Sequence, residues 1–417
     1  MRILVKNPVQ IITVDTKDLN FKRGNDMQDI NPIIGHSIVI EDGFIKDFIP
    51  ESVTEKLTVD QTIDVTGMIV LPGLVECHTH SAFAGSRSNE FFMRLKGSSY
   101  EEIAAQGGGI LSTVNAVRTS SFEELVVLLK PRIDHFISQG ITTLEIKSGY
   151  GLSFYDEIKL LQVINYFRTN SPIEIIPTFL GAHTFPPEYK NDHEQYLDLL
   201  IKELLPYIIK NNLAYTVDAY CEKSAFSPEE VDSIFAEAKK LGYKLKIHTD
   251  QFNQIGGLNI AMKYNVNSAD HLEVIDNNEI KRFSKSEIVA VLLPGVSFSL
   301  DTFYAPARKL IDNNAIVAIS TDYNPGSSNI SNLHLIMLLA AIKMKMTAEE
   351  IISAVTVNAA KALNLSEKTG SIEVGKQADF SVFKANEYSE IIYNIGTNLN
   401  KMTIKKGKII YKSLECQ

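Results

Sequence analysis

The sequence predicts an α/β protein: a (β/α)8 TIM-like barrel carrying a small β-sandwich domain formed from both termini. Three observations predict it. Eight apolar runs alternate with helical patterns through the middle of the chain, short strand-and-turn segments occupy both ends, and histidines gather where the apolar runs stop. A chain of 417 residues, 45% hydrophobic, is long enough for a barrel of about 250–300 residues plus a smaller partner domain.

The opening segment, MRILVKNPVQIITVD, alternates like a strand and lacks the continuous apolar core and cleavage site of a secretory signal. HSIVIEDGFIKDFI reads as a hairpin with Asp42-Gly43 at its turn. The same texture returns near the C-terminus in GSIEVGKQADFSVF and KMTIKKGKIIYK, the second turning at Gly407. We therefore assign 1–71 and 372–417 to one small composite β domain and 72–371 to the barrel.

The eight barrel strands are MIVLPGLVE, ITTLEIK, IEIIPTFLGA, AYTVDAY, KLKIH, VNSAD, IVAVLL and IVAIST. Their apolarity suits parallel strands covered on both faces. Helical patterns such as PEEVDSIFAEAKKLG and GGLNIAMKYN separate most of them. A doubly wound open sheet is the alternative, but no G-x-G-x-x-G follows the first strand. Residues 82–120 interrupt the rhythm with a long loop and the triplet Gly107-Gly108-Gly109. No Lys-Ser/Thr follows the triplet, so a lid over the site is expected rather than a phosphate loop. Residues 326–346 look like a helix packed over the barrel, their methionines serving as core.

Composition excludes several classes. The net charge is −9, with Lys and Arg scattered, which argues against a nucleic-acid surface. No apolar stretch reaches the roughly 18 residues of a membrane span. Three cysteines, Cys77, Cys221 and Cys416, have no metal-finger spacing. They suit a reducing compartment, and a cytoplasmic location is expected.

Nine histidines occur, and five of them (His78, His80, His183, His248 and His271) fall at the ends of expected barrel strands. That rim is the catalytic face of such a barrel. Alternation along a strand turns His78 and His80 to the same side, about 7 Å apart at the backbone. His248 ends KLKIH, and Asp322 follows IVAIST. Three imidazoles and one carboxylate suit zinc or iron, whereas calcium or magnesium would want mostly oxygen. A pair of hydrogen-bonded rim histidines is the plain alternative for His78 and His80. A second metal would need a bridging ligand such as a modified lysine on the fourth strand. That strand ends in DAYCE, and Lys147 ends the second. One divalent or trivalent ion per chain, Zn or Fe, is expected.

These residues sit in longer runs. VLPGLVECHTHSAFAGSR, SGYGL, FLGAH, the segment from His248 to Gln251, SADHLE and STDYNPGSS together resemble the imidazolonepropionases, an amidohydrolase family of histidine degradation. The resemblance extends from the N-terminal strands through NAAKALNL to GKQADF. It implies hydrolysis of 4-imidazolone-5-propanoate to N-formimidoyl-L-glutamate, and a homodimer. It places the metal on His78, His80, His248 and Asp322, in agreement with the strand-end reading. It also places substrate contacts on Arg87, Tyr150, His183 and Gln251, with Asn324, Gly326 and Ser327 nearby.

Each assignment has a physical sense. Arg87 could grip the substrate carboxylate with a two-pronged hydrogen bond. Tyr150 could stack on a flat ring. His183 could bind ring or carboxylate. Asn324-Pro325-Gly326-Ser327 is turn chemistry able to line a pocket. Family members carry Glu or Gln at position 251; Gln251 takes no proton at neutral pH, so it is assigned hydrogen bonding and excluded as base. Asp322 is expected to take the proton of the attacking water and return it to the leaving ring nitrogen. His271 would hydrogen-bond the water or the carbonyl oxygen. The rival readings are a cytosine- or guanine-type aminohydrolase, which would release ammonia, and a non-catalytic metal-binding scaffold.

Overall fold

The computed structural model describes residues 1–97 and 108–414. Gly107 of the glycine triplet and Cys416 lie outside the described residues.

Eight strands form one sheet in strict chain order: Leu74–Glu76, Ile141–Lys147, Glu174–Ala182, Thr216–Cys221, Lys244–Thr249, Ser268–His271, Val289–Leu292 and Ile316–Ile319. Neighbours pair in parallel throughout. Beyond the last of them the sheet meets its own first strand. Thr79 and Tyr323 form a parallel bridge, Asp322 N donates to His78 O at 3.1 Å, and His80 N donates to Tyr323 O at 3.0 Å. These contacts close the sheet into a barrel and exclude the doubly wound alternative. They also set the chain after the first strand, with His78 and His80, beside the chain after the eighth, with Asp322.

Helices cover the outside, and their ends follow local chemistry. Pro228–Lys240 begins at Ser227, whose hydroxyl accepts from Glu230 N while the Glu230 carboxylate accepts from Ser227 N. Gly257–Tyr264 stops at Asn265, which adopts a left-handed φ of 46°. The segment expected to form a lid carries helices Ser88–Leu95 and Ile110–Thr119. The helix expected over 326–346 spans only Leu333–Met344, because Asn324 to Ser328 are tied into a turn and Asn332 caps the helix start by accepting from Leu335 N. Met337, Met344 and Met346 are buried, as expected of core.

The first apolar run departs from its sequence reading. MIVLPGLVE divides at Gly73: Ile69–Pro72 joins a terminal sheet, and only Leu74–Glu76 enters the barrel. Gly73 passes so close to Thr142 that a Cβ there would collide with its side chain. GSIEVGKQADFSVF likewise forms a strand only at Phe380–Phe383.

The chain ends build two sheets. One has four strands, Phe44–Pro50, His36–Glu41, Arg2–Lys6 and Gln61–Asp64 in spatial order; the other has six, drawing Gln10–Ile12, Pro32–Ile33 and Ile69–Pro72 together with Phe380–Phe383, Asn400–Lys405 and Lys408–Lys412. Ile3, Val5, Ile38 and Ile40 of the first pack with Ile11, Val70, Phe380 and Met402 of the second in one apolar core. The expected hairpin turns are present, with left-handed Asp42 and Gly43 in one and Lys406 and Gly407 in the other. Among the described residues, no helix is long and apolar enough to cross a membrane.

Candidate active site

The closed barrel mouth brings His78, His80 and His248 together. One ring nitrogen from each lies within 4.8 Å of the others. The Asp322 carboxylate joins them: its Oδ1 stands 3.3 Å from His78 Nε2 and 3.2 Å from His80 Nε2, and His248 Nε2 is 3.4 Å from His80 Nε2. His78 Nε2 and Asp322 Oδ1 are buried without a hydrogen-bond partner. Buried polar atoms are seldom left so. Imidazole nitrogens that converge on each other and on a carboxylate oxygen fit a cation among them. Three nitrogens and one oxygen are a donor set for zinc or iron.

The rings are held from behind. His78 Nδ1 is 2.5 Å from Asp270 Oδ2, and His248 Nδ1 is 3.1 Å from Asp218 Oδ1. A carboxylate only accepts, so the hydrogen sits on Nδ1 and the Nε2 lone pair faces the cluster. Burial lowers the pKa of His80 and brings that of His248 down to about 3, against the opposing pull of their carboxylate neighbours. Both shifts favour the neutral ring, the form a ligand must take. Burial would raise the pKa of Asp322, but the His78 and His80 imidazoles beside its carboxylate outweigh that and hold it well below the usual carboxylate range. For His271, burial is opposed by Glu273, whose Oε1 is 3.4 Å from His271 Nδ1, and the balance raises its pKa. Asp322 and His271 both adopt left-handed backbone, with φ of 49° and 87°. Such conformations gather at functional sites.

A cavity of about 450 Å³ opens above the cluster. His80, His248, His271 and Asp322 line it together with Arg87, Tyr150, His183, Gln251, Asn324, Gly326 and Ser327; His78 lies beneath, fully buried. His183 stacks on His80 with ring centroids 5.1 Å apart, and its Nδ1 is 3.0 Å from Gly149 O, which leaves Nε2 toward other partners. Tyr150 stands 5.4 Å from the His183 ring. Asn324 is turned inward to its own turn: Nδ2 donates to Asp322 Oδ2 at 3.1 Å, and Oδ1 accepts from Gly326 N and Ser327 N at 2.8 Å each.

A family model for the amidohydrolases matches residues 69–410. The chain is similar to imidazolonepropionase of Alkaliphilus oremlandii, 42% identical over 98% of this chain and 97% of that one. It is likewise similar to imidazolonepropionase of Thermoanaerobacter pseudethanolicus, 45% identical over 92% of each. The chain belongs to the imidazolonepropionase family of amidohydrolases. Solved structures share the fold at low identity. A zinc-bound adenosine deaminase from Xanthomonas campestris has a TM-score of 0.72 at 17% identity, covering 98% of this chain and 92% of that one. Escherichia coli guanine deaminase has 0.72 at 14%, covering 99% of each.

For this imidazolonepropionase-family chain the structure adds residues that sequence reasoning missed. Arg87 is already engaged: its Nε and Nη2 lie 2.9 and 2.8 Å from Glu90 Oε2. Glu90 Oε1 also accepts from Gly109 N at 3.1 Å, joining helix Ser88–Leu95 to the start of helix Ile110–Thr119. Arg94, whose Nη2 donates to Gly326 O at 3.4 Å, lines the same cavity. Tyr220 donates from its hydroxyl to Gln251 Oε1 at 2.7 Å, which turns the Gln251 amide nitrogen away from it as a donor. The only sequence signal for these was their place beside strand ends or in the segment 82–120 expected as a lid.

Proposed function

We propose that the chain hydrolyses the ring amide of 4-imidazolone-5-propanoate to N-formimidoyl-L-glutamate, with one zinc or iron ion held by His78, His80, His248 and Asp322. The observation that carries this reading is that one cavity joins a nitrogen-and-carboxylate cluster to two guanidinium groups, Arg87 and Arg94. The cluster suits hydrolysis, and the guanidiniums suit a substrate carrying a carboxylate.

In the reaction a water oxygen joins the ring carbonyl carbon, the carbon–nitrogen bond breaks, and the nitrogen takes a proton. Bound at these four ligands, a zinc or iron ion supplies Lewis acidity. Asp322 Oδ1 accepts the water proton and hands it to the leaving nitrogen, while Oδ2 is held by Asn324. His271, with Nδ1 against Glu273, offers Nε2 to the carbonyl oxygen as negative charge develops there. Tyr220 presents the Gln251 amide nitrogen to the substrate as a donor. Tyr150 and His183 wall the flat ring. We place the reaction in the cytoplasm, where free thiols such as buried Cys77 and Cys221 persist.

The test is ultraviolet loss of the imidazolone, with mass-spectrometric detection of the formimidoyl product. Ring opening without ammonia supports the reading. Ammonia released from purine or pyrimidine bases, with the imidazolone untouched, points instead to an aminohydrolase.

A further inference from the structure

Beneath the ligand cluster the barrel interior holds a row of charges that the proposed chemistry does not use. Asp218 Oδ1 meets His248 Nδ1 at 3.1 Å, and its Oδ2 meets Lys147 Nζ at 2.7 Å. Lys147 Nζ lies 2.8 Å from Glu145 Oε2, and Lys246 Nζ lies 3.4 Å from Glu145 Oε1. Lys246 Nζ then reaches Asp270 Oδ2 at 3.4 Å, and that oxygen meets His78 Nδ1 at 2.5 Å. All five charged side chains are fully buried. Carboxylate and ammonium alternate along the row, from Asp218 through Lys147, Glu145 and Lys246 to Asp270, and each end stops on a proposed metal ligand.

Stability does not explain such a row. Removing charges from water is costly, and well-packed apolar residues in place of buried ion pairs are often neutral or stabilising. What the row does supply is direction. Each terminal carboxylate is held on one side by an ammonium and on the other by an imidazole Nδ1, so each imidazole keeps its hydrogen there and offers Nε2. Lys246 also donates to Cys77 O at 2.7 Å, fixing the backbone next to His78. Thr178 Oγ1 donates to Glu145 Oε1 at 2.6 Å and holds the middle of the row.

We propose that Lys147, Glu145 and Lys246 are positioning residues of the metal centre, coupling His78 to His248 through one buried row of alternating charge. This rests on the metal reading given above. Carboxylates that orient metal-bound histidines typically change metal affinity by about 10–100-fold when lost. The row extends that influence one and two residues further, across the second, fourth, fifth and sixth barrel strands.

The experiment titrates metal-stripped protein with Zn²⁺ against a chelating competitor and records the visible ligand-field absorption of the Co²⁺-loaded form. Lys246→Met and Lys147→Met, checked for folding by circular dichroism, should each bind Zn²⁺ about 10-fold or more weakly and shift the cobalt bands. The double variant should lose less than the product of the two single losses, because both act through one row. Glu145→Gln changes one charge and almost no volume, so it gives the same readout if a methionine variant fails to fold. Ser381→Ala removes a buried bond to Gly140 O at the opposite end of the barrel; it should lower stability without moving affinity or spectrum. Folded row variants with wild-type affinity and spectrum overturn the proposal. His78→Ala separates the two readings: if it loses metal while the row variants keep it, only the row fails. If it too keeps metal, the metal centre itself is wrong.

Discussion

Asp322 is the residue on which the chemistry converges. It stands against two imidazoles, its other oxygen is held by Asn324, and its backbone is left-handed. Asp322→Ala should lower turnover by about 10²–10⁴-fold and weaken metal retention, measured by imidazolone consumption and elemental analysis of the same preparation. Full activity in that variant would rule the role out. Arg87 depends on a neighbour that has no side chain. A Cβ on Gly326 would overlap the Arg87 guanidinium, so Gly326→Ala must displace it. The expected result is a KM raised about 10-fold for the carboxylate substrate, with kcat changed much less, as when binding common to ground and transition states is removed. An equal loss in kcat at unchanged KM contradicts a purely binding role. The metal-ligand candidates and their shared direction were legible in the chain, because a two-residue spacing on a strand needs no knowledge of the rest. Glu90, Arg94 and Tyr220 were not. Their importance comes from what they touch across the cavity, and nothing in their local spacing records it.

At the level of elements, the helix Leu333–Met344 carries a buried His334 whose Nε2 is 3.1 Å from Gln139 O and whose ring lies 5.7 Å from Phe383. Burial lowers its pKa to about 4, although the Gln139 carbonyl pulls the other way. The unfolded chain therefore takes up this proton near pH 6.5, well before the folded one does. Its contribution is complete above about pH 6.5 and is lost as the pH falls toward 4, reaching about 2 kcal/mol at pH 5. In His334→Gln, whose amide can still donate to Gln139 O, urea unfolding should lose correspondingly less stability between pH 7 and 5. An unchanged slope would show that His334 does not titrate this way. Strand positions were mostly legible from apolar runs. The split at Gly73 was not, because both halves of MIVLPGLVE are equally apolar, and only pairing partners far along the chain separate them. The helix expected over 326–346 starts only at Leu333 because Asn324 organises a turn through hydrogen bonds that periodicity does not reveal.

For the whole molecule, barrel closure does the assembling. Four side chains from the first, fifth and eighth strand ends meet because the bridge between Thr79 and Tyr323 joins the two ends of the sheet. Eight apolar runs, four of them with histidines at their ends, made that closure readable. The buried row from Asp218 to Asp270 stayed hidden, since its members lie on four different strands and each reads locally as a stray charge in an apolar run. The central claim is that one metal ion, held by His78, His80, His248 and Asp322, makes the chain a hydrolase of the imidazolone ring. Its most direct test is titration of metal-stripped protein with Zn²⁺ or Fe²⁺ while imidazolone consumption is followed by ultraviolet absorption. The account predicts negligible activity without metal and a linear rise that breaks at one ion per chain. Activity in the stripped protein, or a break at two ions per chain, would contradict it.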